Sequence, residues 1–141
     1  MALPADACSG LVGLAERCAA GDPAPHVFLR RLARGGAGVR PLPLGVLDLA
    51  RGGRNLVRGR GFRAVYDDGS AGQVRHFCGV ARACQLLGVT ATRWLMEHSG
   101  DATSSPDGQL TEAAIVFVRD LRSGRLPVAG AAAWIDQRLC R

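Results

Sequence analysis

His76 is the side chain best suited to move a proton at neutral pH. It stands in the run Gln73-Val74-Arg75-His76-Phe77. Unperturbed imidazole titrates close to physiological pH. Burial and a neighbouring cation both favour its neutral form, the form a general base needs. The candidate catalytic set is therefore His76 with Arg75 as the adjacent cation and Glu97 as a carboxylate expected to approach it in the fold. His98 and Asp101 lie in the same later stretch. The competing reading is a core histidine bonded to a backbone carbonyl or a carboxylate, since perturbed histidines also serve structure. His26, His76 and His98 match no recognised metal-ligand spacing, so no metal and no other cofactor is expected. GxSxG, HExxH and P-loop patterns are absent. Gly59 to Ala64 fits GxGxxA by letters, but it does not join a strand to a helix.

The second chemistry is anion binding. All 18 basic residues are arginine. From Arg34 to Arg63 there are seven arginines and one acid, Asp48, while the remaining eleven arginines are matched by eleven acids. The formal net charge of +6 thus belongs to one glycine-rich segment. RGGRNLVRGRGFR, residues 51–63, resembles RGG sequences that follow a phosphate backbone and stack bases. Arg51, Arg54, Arg58, Arg60, Phe62 and Arg63 are the candidate nucleic-acid contacts. The plainer reading is a solvated basic connector produced by GC-rich coding bias, which the abundance of Arg, Ala and Gly also suggests.

These groups must be positioned by helices. The stretch 71–87 reads as the central, most buried one: Val74, Phe77, Ala81, Cys84 and Leu87 recur at helical spacing. Ser70 and Gln73 fit a capping box, and Gly88 ends the pattern. Residues 6–20 form an earlier helix with a Leu11, Leu14, Ala15, Cys18 stripe. A second runs through Phe28 and Leu32 until Gly35-Gly36, and a short one covers Leu44 to Ala50. FRAVY, residues 62–66, alternates as a short extended segment does. Thr90 caps a helix through Trp94. Either Ser105 as cap with Pro106 or Asp107 as cap starts a long one with Leu110, Ala114, Phe117 and Leu121 inward, and Val128 to Leu139 makes the last. The expected fold is all-α, a small helical bundle. Its expected organisation is an N-terminal helical arm (1–35), a Gly/Pro/Arg-rich connector (36–61) and a helical core (62–141).

Two resemblances bear on function. ACQLLGVTATRWLMEHSG resembles a helix-turn-helix, but lacks about three residues between LGV and RWL, a turn of the recognition helix. More of the chain, Phe62 to Cys140, resembles an uncharacterised family of small helical domains of bacterial and fungal proteins. Some of these stand at the C-terminal end of YD-repeat or polymorphic-toxin chains. The likeness is carried by Asp68, the QVRHF run, Asp107-Gly108-Gln109-Leu110, Gly124, Trp134-Ile135 and Cys140. Gly72 and Leu110-Thr111-Glu112 depart from that family's pattern. The resemblance implies a helical fold centred on QVRHF and no established activity.

With 48% apolar residues the chain can build a core, although only 5% are aromatic. No apolar run reaches the length of a membrane span, so no membrane partner is expected. Five cysteines without a CxxC pair suggest reduced thiols and a cytoplasmic setting. The function expected is a small basic interaction domain that binds nucleic acid or an acidic protein through residues 34–63. The alternative is a toxin-like effector or enzyme domain with its site around His76.

Overall fold

The computed structural model describes residues 6–98 and 104–141. Seven helices follow in order: α1 (Ala7–Cys18), α2 (Pro25–Ala37), α3 (Leu44–Ala50), α4 (Gln73–Leu87), α5 (Val89–His98), α6 (Pro106–Ser123) and α7 (Ala131–Leu139). The fold is an all-α bundle, and none of these helices is long and apolar enough to cross a membrane.

α4 lies at the centre because its apolar residues cover more than one face. Val74, Phe77, Cys78, Val80, Ala81 and Cys84 are all buried. α2 and α6 flank it, α1 packs against α2 and α7, and α5 rests on α4 and α6. Most of the few aromatic side chains collect here. Phe117 lies 5.2 Å from Phe77, 5.0 Å from Trp134 and 6.2 Å from Phe28, centroid to centroid. Offset aromatic contacts of this kind contribute beyond their buried area. α1 and α2 belong to the same continuous core as α4, α6 and α7.

Several expectations need correction. Gly35-Gly36 does not stop α2, which continues to Ala37 and turns at Gly38. A side chain at Gly35 would meet Leu14 of α1, and one at Gly36 would meet Cys78 of α4. The pair is there for close helix approach. Ser70 and Gln73 form no capping box: Gly72 precedes the helix, and the Gln73 amide turns to Asp67 and Asp68 instead. Leu87 is exposed and Arg82 is buried, the reverse of what the apolar stripe suggested. FRAVY is not a strand. Ala64–Tyr66 is a 3-10 turn, and Phe62 alone pairs, in one antiparallel bridge with Cys140. Val128–Gly130 is likewise a 3-10 turn ahead of α7. The Ser105 cap of α6 is present, its hydroxyl accepting the Gly108 amide at 3.0 Å.

The largest correction concerns the cysteines. Cys8 and Cys140 form a disulfide that spans 132 positions and ties α1 to the end of α7. Cys18, Cys78 and Cys84 are free and buried. Burial pushes the thiols of all three upward, which keeps them unreactive.

Candidate functional site

The arginine segment divides into two parts. Its first part builds a cleft of about 530 Å³ lined by Arg34, Arg40, Asp48, Arg51, Arg54 and Leu56. The cleft exists because the chain folds back on the end of α2. The Arg54 amide donates to the Ala37 carbonyl at 2.6 Å, and the Gly53 amide donates to the Asp48 carbonyl at 2.8 Å. Arg34 comes from the last turn of α2, Asp48 from α3, and Arg51 and Arg54 from the turn after it. Asp48 is the one carboxylate in the wall, and Arg40 takes it bidentately, Nε to Oδ2 at 3.0 Å and Nη2 to Oδ1 at 2.9 Å. The Arg40 amide adds a third bond at 2.9 Å. These bonds hold the Asp48 carboxyl down to about 2. Among the described residues no ion pair involves Arg34, Arg51 or Arg54. Their charge is left for whatever enters.

The second part is sewn into the frame. The Arg60 carbonyl accepts the first two amides of α1, Ala7 at 2.8 Å and Cys8 at 3.3 Å, donors that helix geometry leaves unpaired. Gly61, at φ +106°, lies against the Asp6 carboxyl where a side chain would not fit. Phe62 is 1% exposed, so it is a core residue and cannot stack bases. The Arg63 guanidinium donates to the carbonyls of Gln137 and Cys140 at the end of α7. Arg60 reaches the Gly69 carbonyl at 3.5 Å. Of the six candidate contacts, Arg51 and Arg54 line the cleft and Arg58 is exposed beyond it. Phe62 and Arg63 have structural roles. Arg34 and Arg40 were the cleft residues left out of that set, and the charge count beginning at Arg34 was the signal for them.

His76 occupies a different region. It is half-buried, and its Nε2 lies 2.8 Å from the hydroxyl of Thr111, a buried residue of α6. Arg75 is exposed one position away. Glu97 is exposed near the end of α5, and no hydrogen bond or ion pair joins it to His76. Asp101 lies outside the described residues. The expected trio is thus not joined by hydrogen bonds, and the carboxylates bonded around the start of α4 are different ones. Asp68 accepts the Ser70 amide at 2.8 Å, the Ser70 hydroxyl at 2.6 Å and the buried Gln73 amide at 3.1 Å. It also shares a hydrogen bond with Asp107 at the start of α6. Partial burial pushes the Asp68 carboxyl up, but the bonds from Ser70 and the one shared with Asp107 outweigh it and leave it lowered. Thr111 stands one turn beyond Asp107, so Asp68, Gln73, His76, Asp107 and Thr111 line the junction of the α4 and α6 N-termini. Gln73 Oε1 has no partner there. Among the described residues, no group of histidine, cysteine and carboxylate side chains is arranged to hold a metal ion.

Arg93 of α5, on the helix that resembles a recognition helix, is engaged by Glu112 of α6 at 2.8 Å. Comparison with protein-family models, with curated proteins and with solved structures returned no match.

Proposed function

We propose that this chain is a small basic interaction domain that holds a phosphate-bearing anionic partner in the cleft between α2 and α3. One observation carries the reading: Arg34, Arg51 and Arg54 face a concavity whose single carboxylate is already consumed by Arg40. Planar guanidinium groups bind phosphate oxygens in pairs, as they do carboxylates, and three of them around one concavity suit a group with several anionic oxygens. The volume is within the ordinary range of ligand sites. The test uses fluorescence anisotropy of a labelled single-stranded oligonucleotide across a salt series. About three phosphate contacts should give a log–log slope near −2, at about −0.7 per contact on single strands. Replacing Arg34, Arg51 and Arg54 by Gln should abolish the binding, while Arg58→Gln should weaken it slightly. Absence of binding at low salt, or an unchanged slope in the triple variant, removes nucleic acid as the partner.

The disulfide bears on where this happens. A Cys8–Cys140 bond persists in an oxidising compartment and not in the reducing cytoplasm. It therefore weighs against the cytoplasmic expectation.

A second reading, a toxin-like effector or enzyme domain, is favoured by one observation. Asp68, Gln73, His76 and Asp107, four residues that carry the family resemblance, meet at one helix junction. Inducible expression in a bacterial host tests it. Growth should slow with the native chain and recover with His76→Gln at equal folded yield. No growth effect, or an equal effect of both proteins, eliminates this reading.

A further inference from the structure

α3 is turned the wrong way for a water-soluble helix. Leu44, Val46, Leu47, Ala50 and Arg51 follow one another around its outer side, and all are exposed. Its inner side carries Gly45, pressed on the Arg40 carbonyl, the ion-paired Asp48, and Leu49. Most of its apolar residues therefore face solvent while a carboxylate faces in. Leu42 before the helix and Leu56 on the cleft wall are exposed as well. Together with Leu44, Val46 and Leu47 they are 43% to 59% exposed, and they make up five of the ten large apolar residues left exposed among those described. Scattered exposed leucines need no explanation, but Leu44, Val46 and Leu47 share one side of a short helix beside a charged cleft, and such a set marks an interaction surface. α3 has no extended packing against any other helix.

We propose that this face docks on an anionic lipid bilayer, with Leu44, Val46 and Leu47 entering the interface and Arg34, Arg51 and Arg54 holding lipid phosphates. The proposal rests on the anion-binding reading of the cleft and names its partner. Aliphatic side chains flanked by arginine are the pattern of interfacial helices, which sit at the boundary of headgroups and acyl chains. Arginines at the level of the headgroups are drawn to the negative surface of such a membrane. A seven-residue helix is about 10 Å long, too little by itself for the roughly 800 Å² a stable protein interface takes from each partner. A bilayer sets no such minimum. Expecting no membrane partner followed from the missing span, and surface docking needs no span.

Co-sedimentation with vesicles tests the proposal. The probes are phosphatidylcholine alone and phosphatidylcholine with about one third phosphatidylglycerol, the anionic component. The intact protein should bind the anionic vesicles, and at least about tenfold more weakly the neutral ones. Leu44→Gln with Leu47→Gln should lower vesicle affinity by about tenfold and leave oligonucleotide affinity within about twofold, since those side chains are outside the phosphate contacts. The Arg34, Arg51, Arg54 triple variant should lose both. Circular dichroism should be unchanged in all variants, because every altered side chain is exposed. Oligonucleotide binding without vesicle binding overturns the bilayer proposal and leaves the cleft reading standing. Loss of neither ligand in the arginine variant overturns the cleft reading and this proposal with it. Equal vesicle binding by the leucine variant and the native protein overturns the docking face.

Discussion

Residues 34–54 and residues 58–63 belong to one basic segment and have opposite fates. Both are rich in arginine and glycine. In the first stretch the guanidinium groups of Arg34, Arg51 and Arg54 surround an open cleft. In the second, Arg63 serves the carbonyls at the end of α7, the Arg60 backbone closes the start of α1, and Phe62 fills the core. What separates them is the accounting of backbone groups. The ends of α1 and α7 carry unpaired donors and acceptors, and the nearest chain must satisfy them. The end of α2 is satisfied by the backbone amides of Gly38, Val39 and Arg54, so the arginine side chains there are not drawn in and remain outside. Arginine count is therefore no guide to an anion site until the helix termini have been paired off.

The contrast can be broken most severely at the disulfide that holds the second stretch in place. Closing a loop of 132 positions should stabilise the fold by about 4–5 kcal/mol in the chain-entropy account. Guanidinium denaturation of Cys8→Ser with Cys140→Ser should show most of that loss. Thiol titration of the unreduced, denatured protein should find the three free cysteines, and a count of five would mean the bond is absent.

Phe62→Ala separates core from ligand contact. A buried phenylalanine should cost about 3–5 kcal/mol on truncation. A base-stacking residue would leave stability untouched and weaken oligonucleotide binding only.

The same division should appear between two arginines. Arg63→Gln should lower stability by about 0.5–1.5 kcal/mol, because the Gln137 and Cys140 carbonyls at the end of α7 lose their donor, although water can reach part of that site. Arg54→Gln should change it by less than about 0.5 kcal/mol, as expected for an exposed side chain, while weakening anion binding. Equal losses of stability would erase the distinction between the two stretches.

The smallest effect concerns Asp48. Its folded carboxyl titrates at about 2, below the ordinary 3.8. Its pairing with Arg40 therefore supports the fold above pH 3.8, and that support fades as pH falls through about 2. An NMR titration of the Asp48 side chain should give the lowered midpoint, and Arg40→Gln should return it toward 3.8. A midpoint of 3.8 in the native protein would show the pair is not formed.

Much of the bundle was legible from local pattern. The Leu11, Leu14, Ala15, Cys18 stripe of α1 is buried as its spacing required. The Ser105-Pro106 start and the buried face of α6 follow from capping and periodicity. α4 was correctly placed at the centre, because its apolar side chains exceed a single stripe. The candidate sites were less legible, and each failure has a cause. Glu97, beyond the next helix, was expected to approach His76 in the fold, whereas the actual partner, Thr111, comes from a helix 35 positions on. Thr111 carries no charge and stands between Leu110 and Glu112, so nothing in the local sequence marks it as a partner of His76.

Residue order fixes what depends on neighbours within one or two turns: helix location, caps, the inward face, and the concentration of charge between Arg34 and Arg63. Packing decides what depends on partners far along the chain. It joined Cys8 to Cys140, used Gly35-Gly36 for contact rather than termination, and brought Asp68 to Asp107. It also turned the apolar side of α3 outward. A helix stripe shows that a face is apolar, but only the space left by the other helices decides whether protein covers it.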